Sequence, residues 1–221
     1  TISNGVDIDL TNFITPSATN MANMFNNSKL KSVVWSNGFG NAATNMSSMF
    51  YNASLPTTNF NLPDGFGSAA TDMNNMFYNA SLPTTSFDLP NGFGSVALNM
   101  QTMFRNADLP TTNFNLPDGF GSAATDMNNM FAWATIPINF SLGTGFGSVA
   151  TNIYYMFAWA SLNGDIDWSG TNLTNSTAIK SNIFIGVTWN GHFVLAQNQG
   201  SVDWLIDGTG ADATNVKIKG S

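Results

Sequence analysis

The chain has 221 residues, 43% of them hydrophobic and only 9% charged, so it can bury a core with few ionic groups. Thirteen aspartates, with no glutamate, oppose six basic residues, and the net charge of −7 argues against nucleic-acid partners and anionic membrane surfaces. Cysteine is absent, which excludes disulfides, thiolate nucleophiles and zinc–thiolate sites.

A block of about 27 residues repeats along the chain, and its clearest copy covers residues 55–77. Each of seven blocks closes on a phenylalanine that comes 25 to 27 residues after the previous one: Phe25, Phe50, Phe77, Phe104, Phe131, Phe157 and Phe184. Self-similarity at a fixed period is the signature of stacked-coil proteins. We therefore predict a repeat solenoid of about seven coils over residues 1–185.

Each block contains a short apolar–polar–apolar triplet, the pattern of a half-buried β-strand. The triplets begin at Ile8, Val33, Phe60, Phe87, Phe114, Phe140 and Ile166. A Gly-Phe-Gly sequence follows in five blocks, as at residues 65–67, and predicts a turn with its phenylalanine pointing inward. A phosphate-binding loop is the weaker interpretation, because no lysine follows these glycines.

The block ends in a Met-x-x-Met-Phe segment, for example Met73 to Phe77, whose apolar residues recur at helical spacing. We predict one short helical turn per coil, with these side chains in the core and a threonine or serine capping the turn. A copper relay or an adaptable methionine groove is the weaker alternative. In the seventh block Lys180 replaces the first methionine, so the repeat weakens there.

From Gly186 onwards the repeat is no longer recognisable in the sequence. Three apolar segments, residues 192–195, 202–206 and 215–219, are separated by glycine-rich turns and are predicted to be strands. An open solenoid end must be covered to prevent edge-to-edge pairing. Residues 186–221 are therefore predicted to form a β-rich C-terminal cap or the start of a further domain.

The triplet and the Met-Phe-Tyr-Asn-Ala-Ser-Leu segment within residues 60–82 resemble the BspA-type leucine-rich repeat of bacterial surface proteins. The form Asn-Met-x-x-Met-Phe-x-x-Ala, complete at residues 45–53 and 99–107, is similar to the Met-Phe subgroup of that family. The resemblance covers residues 8–184, although the Gly-Phe-Gly segment is longer than the family's usual link. It implies a leucine-rich-repeat-like solenoid, with a short parallel strand and a short helical turn per coil. It also implies an extracellular, cell-surface location and an adhesin-like role, with no catalytic residues.

The middle residue of each triplet is predicted to face outward, so that successive coils align these residues in a column. The outward column consists of Asp9, Val34, Asn61, Asp88, Asn115, Ser141 and Asp167. A neighbouring column consists of Asp7, Ser32, Asn59, Ser86, Asn113, Asn139 and Asp165. Solenoids use such faces for ligands, which makes Asn61, Asp88, Asn115, Ser141 and Asp167 candidate ligand-binding residues. The alternative is that they are solvated strand residues.

Trp133 and Trp159 are the other candidate ligand-binding residues, each within a Phe-Ala-Trp-Ala sequence. Exposed indoles beside Asn and Asp suit stacking against a sugar ring. Buried indoles that fill enlarged coils are the alternative.

No catalytic constellation is recognised, because His192 is the only histidine and no paired-carboxylate signature occurs. We expect no enzyme activity and no cofactor. Ca²⁺ bound at residues 165–167 or 207–212 is a weak alternative, because neither segment is a complete calcium loop.

The leading hypothesis is a non-enzymatic, adhesin-like surface module that binds a host or neighbour-cell protein or glycan, with self-association open. A structural spacer, or a filament or surface-layer component, is the alternative. Ice binding is a minor alternative, based on the aligned pairs Thr57-Thr58, Thr84-Thr85 and Thr111-Thr112. The sequence contains neither a signal peptide nor a transmembrane run, so no membrane insertion is expected of this segment. We expect it to be part of a longer protein.

Overall fold

The computed structural model describes residues 5–13, 17–57, 60–84, 87–112, 114–171 and 178–220. The chain winds into a parallel β-solenoid of about eight turns, which confirms the predicted repeat solenoid. Within these ranges the elements are β1 Val6–Asp9, β2 Leu30–Val34, β3 Thr135–Ile136, β4 Phe140–Ser141, β5 Ser161–Leu162, β6 Ile166–Asp167, β7 Val194–Ala196, α1 Gln199–Ile206 and β8 Val216–Ile218.

All strand pairs described are parallel and join one coil to the next. β1 pairs with β2, β3 pairs with β5, and a four-stranded sheet has the order β4-β6-β7-β8. Single parallel bridges connect further coils, such as those that link Asn45, Asp72 and Asn99 in succession. Each coil therefore forms hydrogen bonds mainly with its two neighbours, as expected for a solenoid.

The predicted inward–outward alternation of the triplets is confirmed in the central coils, where Phe60 and Leu62 are buried and Asn61 is exposed. Regular strands nevertheless form only at β1–β2 and from β3 onwards among the described residues. In the three central coils a proline follows the triplet, as Pro63 does, and it has no N–H to donate to a ladder.

The core is built from three columns of stacked phenylalanines. The seven closing phenylalanines stack with centroids 5.1–5.7 Å apart and ring planes within 12° of parallel. The phenylalanines of Gly-Phe-Gly stack at 6.2–6.3 Å, and those of the triplets from Phe60 onwards at 5.9–6.3 Å. The predicted methionine–phenylalanine core is confirmed, except that Met24 in the first coil is 37% exposed.

The short helical turn predicted for each coil is not formed. Residues 46–53 instead make a chain of overlapping turns, in which Ser48 and Asn52 have φ values of +55° and +53°. Because these residues have a left-handed backbone, every second N–H group of the segment donates a hydrogen bond to the next coil. The Phe50 N–H, for example, donates to the Met76 carbonyl at 2.8 Å. Such turns bury the same apolar residues as a helix would, which is why the spacing alone favoured a helix.

The turn is capped by an aspartate or asparagine rather than by the threonine expected. Asp72 Oδ1 accepts the Asn74 N–H at 3.1 Å, an Asx turn. The Thr71 hydroxyl instead donates to the Thr44 carbonyl of the preceding coil at 3.2 Å. The threonine therefore holds neighbouring coils together.

At the C-terminal end, β7 and β8 confirm two of the three predicted strands, whereas the strand predicted at residues 202–206 is wrong. That segment lies in α1, because Asn198 caps the helix by accepting the Ser201 N–H at 3.0 Å, while Val202 and Leu205 form its buried face. β7 and β8 extend the parallel stack beyond residue 185.

The segment that follows α1 covers the last closing phenylalanine. The Phe184 N–H donates to the Thr209 carbonyl at 2.7 Å, and the Asn182 N–H donates to the Gly208 carbonyl at 3.0 Å. These bonds replace those that another Met-Phe segment would supply. Across the described ranges, no helix has the length and apolar character needed to cross a bilayer.

Candidate functional site

One residue in each coil, two positions after the closing phenylalanine, forms a corner with a left-handed backbone. We call this row the corner column; its φ values lie between +52° and +67°. Its members are Asn27, Asn52, Asn79, Asn106, Trp133, Trp159 and Gly186. Asparagine and glycine adopt this conformation most readily. The asparagines of the first four coils and the glycine of the last coil therefore fit the corner, whereas the two tryptophans do not.

The asparagines of the corner column form an amide ladder along the solenoid. Asn52 Nδ2 donates to Asn27 Oδ1 at 3.0 Å, and Asn79 Nδ2 donates to Asn52 Oδ1 at 2.8 Å. Asn106 continues the ladder by donating to Asn79. The ladder ends where the column changes to tryptophan.

Trp133 and Trp159 lie at the surface, 49% and 38% exposed, so the structure favours the exposed interpretation over the buried one. Their rings stack on each other with centroids 5.0 Å apart and planes 17° from parallel. The Trp159 indole lies close to Gly186, where an added Cβ would come within 2.4 Å of the indole Cδ1. Trp168, in contrast, is buried in the core.

The backbone of both corner tryptophans is strained. Trp133 has φ +64° and Trp159 has φ +56°, and a bulky residue in this region carries a penalty of about 1–2 kcal/mol. Neither indole fills the core, and asparagine at the same position elsewhere avoids the strain. Strained, exposed residues of this kind are typical of functional sites.

Two half-buried tyrosines lie beside the corner tryptophans. The ring of Tyr155 lies 5.3 Å from that of Trp159, and Tyr154 lies 3.8 Å from Tyr155. The hydrogen bond with Tyr154, together with desolvation, raises the pKa of Tyr155. We call Trp133, Trp159, Tyr154 and Tyr155 the aromatic corner.

The residues of the outward column differ in their exposure to solvent, so they do not form one uniform site. Asn61, Asp88 and Asn115 are exposed, whereas Ser141 and Asp167 are half-buried. In the neighbouring column, Asn59, Ser86 and Asn113 lie outside the described residues.

The C-terminal end of these columns borders a cavity of about 410 Å³ on the outer face of β4, β6 and β7. It is lined by Ile138, Asn139, Phe140, Ser141, Asn163, Gly164, Asp165, Asp167, His192 and Leu195. Sequence reasoning identified Ser141 and Asp167 as candidates but missed Asn163 and His192. The weakened repeat gave no alignment that would place His192 beside Asp165.

Asp167 joins the last strand to the body of the sheet. Lys219 Nζ lies 2.7 Å from its Oδ2, while the N–H and hydroxyl of Ser169 donate to its Oδ1 at 3.0 and 2.7 Å. Burial raises the pKa of Asp167, but the hydrogen bonds from Lys219 and Ser169 outweigh it and hold the pKa below its ordinary value. Both carboxylate oxygens are therefore already engaged.

Acid is expected to remove the stability that Asp167 provides. Because its folded-state pKa is depressed, this stability is present above the unfolded pKa, about 3.8, and is lost as pH falls through the folded value. Asp167→Asn should therefore lower the melting temperature at pH 6, and the difference from wild type should shrink below pH 3.8. Thermal unfolding followed by circular dichroism across pH 2.5–7 measures this, with Asp118→Asn in an exposed turn as charge-matched control. A pH-independent difference would contradict the prediction.

Among the described residues, no group of three or more histidine and aspartate side chains is arranged to hold a metal ion. Thr57, Thr84, Thr111 and Thr112 are exposed, whereas Thr58 and Thr85 lie outside the described residues. Calcium and ice binding therefore stay predictions.

Comparison with known proteins gives a family without an assigned activity. The family model described as "Mycoplasma protein of unknown function, DUF285" matches residues 3–115 and residues 94–184. No curated protein and no solved structure matches the chain. Because the two matches together run from the first coil to the last closing phenylalanine, the chain belongs to the Mycoplasma DUF285 family.

Proposed function

We propose that this chain is a non-enzymatic binding module that recognises a glycan through the aromatic corner. One observation carries the proposal: Trp133 and Trp159 are exposed and strained at positions where four other coils have asparagine. A scaffold role would be served at least as well by two more asparagines, which would lengthen the amide ladder. A ligand best accounts for tryptophan at these two positions.

A glycan is the ligand class that suits this surface. Indole rings offer flat apolar faces to the C–H groups of a sugar, and a neighbouring amide such as Asn106 supplies hydrogen bonds. Asn106 is shorter than an indole, so it leaves the outer part of Trp133 uncovered on that side. The net charge of −7 favours neutral over acidic glycans.

An adhesin-like, extracellular location at the cell surface belongs to the same proposal, as does a BspA-type leucine-rich-repeat relationship. Both rest on the Asn-Met-x-x-Met-Phe-x-x-Ala motif at residues 45–53 and 99–107. The absence of cysteine and the low charge content are consistent with a secreted repeat protein.

The double variant Trp133→Asn/Trp159→Asn tests the glycan proposal, because asparagine fits the left-handed corner. On an array of neutral glycans followed by titration calorimetry of each hit, the variant should bind at least tenfold more weakly than wild type. Its circular dichroism spectrum should be unchanged. Val149→Asn, which removes an equally exposed apolar side chain elsewhere, is the control and should bind normally.

Two outcomes would contradict the proposal. One is the absence of any glycan hit, and the other is a hit that the double variant binds as tightly as wild type. If the chain binds a protein instead, and the double variant loses that binding, the ligand of the aromatic corner is a protein and not a glycan.

A structural spacer is the second candidate function. The uninterrupted phenylalanine columns and the amide ladder make a stiff rod, which suits projection of another domain. This candidate predicts that the double variant has no binding phenotype and is at least as stable as wild type. Thermal unfolding of the variant beside the array therefore separates the two functions.

A further inference from the structure

We propose that the cavity on the outer face of β4, β6 and β7 binds a single residue of a neutral saccharide. This site uses none of the residues of the aromatic corner, so it goes beyond the function proposed above. Its volume of about 410 Å³ falls within the range of about 300–1,000 Å³ that is typical of small-ligand sites.

The polar part of the cavity offers both donors and acceptors. The amides of Asn139 and Asn163 and the hydroxyl of Ser141 can each donate and accept, while the carboxylate of Asp165 accepts. A sugar hydroxyl both donates and accepts, so a ring of hydroxyls needs this mixture. Ile138, 42% exposed, and Leu195 add an apolar wall against which C–H groups can pack.

Asp165 is held in a fixed orientation and keeps one oxygen for a ligand. Its Oδ1 accepts the Phe193 N–H at 2.9 Å and lies 3.4 Å from His192 Nδ1. Within the described residues, its Oδ2 has no hydrogen-bond partner. A carboxylate positioned in this way is a strong acceptor for a sugar hydroxyl, since hydrogen bonds to charged groups are stronger than neutral ones.

The loops beside the cavity are closely packed, which preforms the site. A Cβ added at Gly164 would come within 2.6 Å of the Ile138 Cα, so the two loops are in direct backbone contact. Asn139 follows with φ +57°, a conformation that asparagine tolerates. A preformed site avoids the entropy cost of ordering loops when the ligand binds.

The charges select a neutral ligand. Lys219 neutralises Asp167, which leaves Asp165 to repel phosphates, sulfates and uronic acids. A simple ammonium ion would use only acceptors and would leave the amide donors of Asn139 and Asn163 without partners.

The test is monosaccharide binding measured on the Trp133→Asn/Trp159→Asn background, so that the signal reports the cavity alone. Saturation-transfer NMR and titration with the methyl glycosides of glucose, galactose, mannose and N-acetylglucosamine should give at least one ligand. The dissociation constant expected is about 1 mM, usual for a small neutral ligand with few contacts. The matching methyl uronoside should bind at least tenfold more weakly, and ethanolamine should not displace the sugar.

Two variants test the residues, and failure of either would overturn the assignment. Asp165→Asn and Asn139→Gly should each weaken binding at least tenfold, and glycine at position 139 keeps the left-handed backbone while removing the amide. Asp118→Asn, in a distant exposed turn, should bind like the background protein. Absence of binding to every glycoside, equal affinity for the uronoside, or full binding by Asp165→Asn would each overturn the proposal. These results do not depend on the aromatic corner, so either site can fail without the other.

Discussion

Replacing Phe104 with alanine is expected to lower the free energy of unfolding by about 3–5 kcal/mol, the usual loss for a fully buried phenylalanine. Its ring is stacked between Phe77 at 5.3 Å and Phe131 at 5.4 Å, and it meets Phe114 edge-on at 5.4 Å. The side chain has no exposed surface, so a cavity would open at the centre of the core. Denaturant unfolding followed by circular dichroism measures the loss.

The position of Phe104 in the array adds a second effect. Because each coil is stabilised mainly by its neighbours, a weak central coil divides the solenoid into two halves that unfold separately. We expect a broader or two-step transition as well as a lower midpoint. Phe13→Ala is the control, because this ring is 46% exposed and should cost about 0.5 kcal/mol. A Phe104→Ala protein as stable as the Phe13→Ala protein would refute the stacked-core account.

Replacing Gly67 with alanine is the second change with a large expected effect, a loss of about 2–5 kcal/mol in the free energy of unfolding. Its φ of +70° disfavours any Cβ by about 1–2 kcal/mol. An added Cβ would also lie 2.7 Å from Phe93 Cδ2, and overpacking of this kind costs about 1–3 kcal/mol. The Phe93 ring has little freedom to move, because it is stacked between Phe66 and Phe120 at 6.3 and 6.2 Å.

The first glycine of the same Gly-Phe-Gly turn provides the matched control. Gly65 has φ +75°, but an added Cβ would meet nothing closer than Asn41 Cβ at 3.5 Å. Gly65→Ala should therefore show the backbone penalty of about 1–2 kcal/mol alone. The difference in melting temperature between the two variants measures the packing contribution of Phe93, and equal melting temperatures would show that no such contribution exists.

The candidate sites lie where the chain departs from its own repeat. The corner column changes from asparagine to tryptophan at Trp133, and the cavity lies beside coils in which the Gly-Phe-Gly and Met-Phe motifs fade. Identical coils give a uniform surface, whereas a ligand requires a local difference. Specificity in this molecule is therefore expected at residues 133–195 rather than along the whole rod.

Much of the architecture follows from the sequence by itself. Apolar residues spaced 25 to 27 apart determine the coil length, and they place the phenylalanines and methionines inside. The Gly-Phe-Gly motif determines a turn with positive φ, and Phe66 is buried there as predicted. The pattern within one repeat is sufficient to predict these features. It determines which face of the coil a residue occupies, and that face determines whether the residue is buried.

Only the tertiary structure decided the form of the Met-Phe segment and of residues 202–206. A helix and a chain of turns bury the same methionines, and the choice depends on whether N–H groups bond within the segment or to the next coil, as Phe50 does to Met76. The helical α1 is favoured by its Asn198 cap and by the burial of Val202 and Leu205 on one face.

The candidate sites also depend partly on the sequence and partly on the tertiary structure. The sequence identified Trp133 and Trp159, but only the folded coils show that both are exposed and that their rings stack on each other. The meeting of Asp165 with His192 depends on a register between coils that the weakened repeat does not specify. The sequence pattern within one repeat determines the structure of a single coil. Side chains on neighbouring coils meet only when the coils stack, so these contacts depend on the tertiary structure.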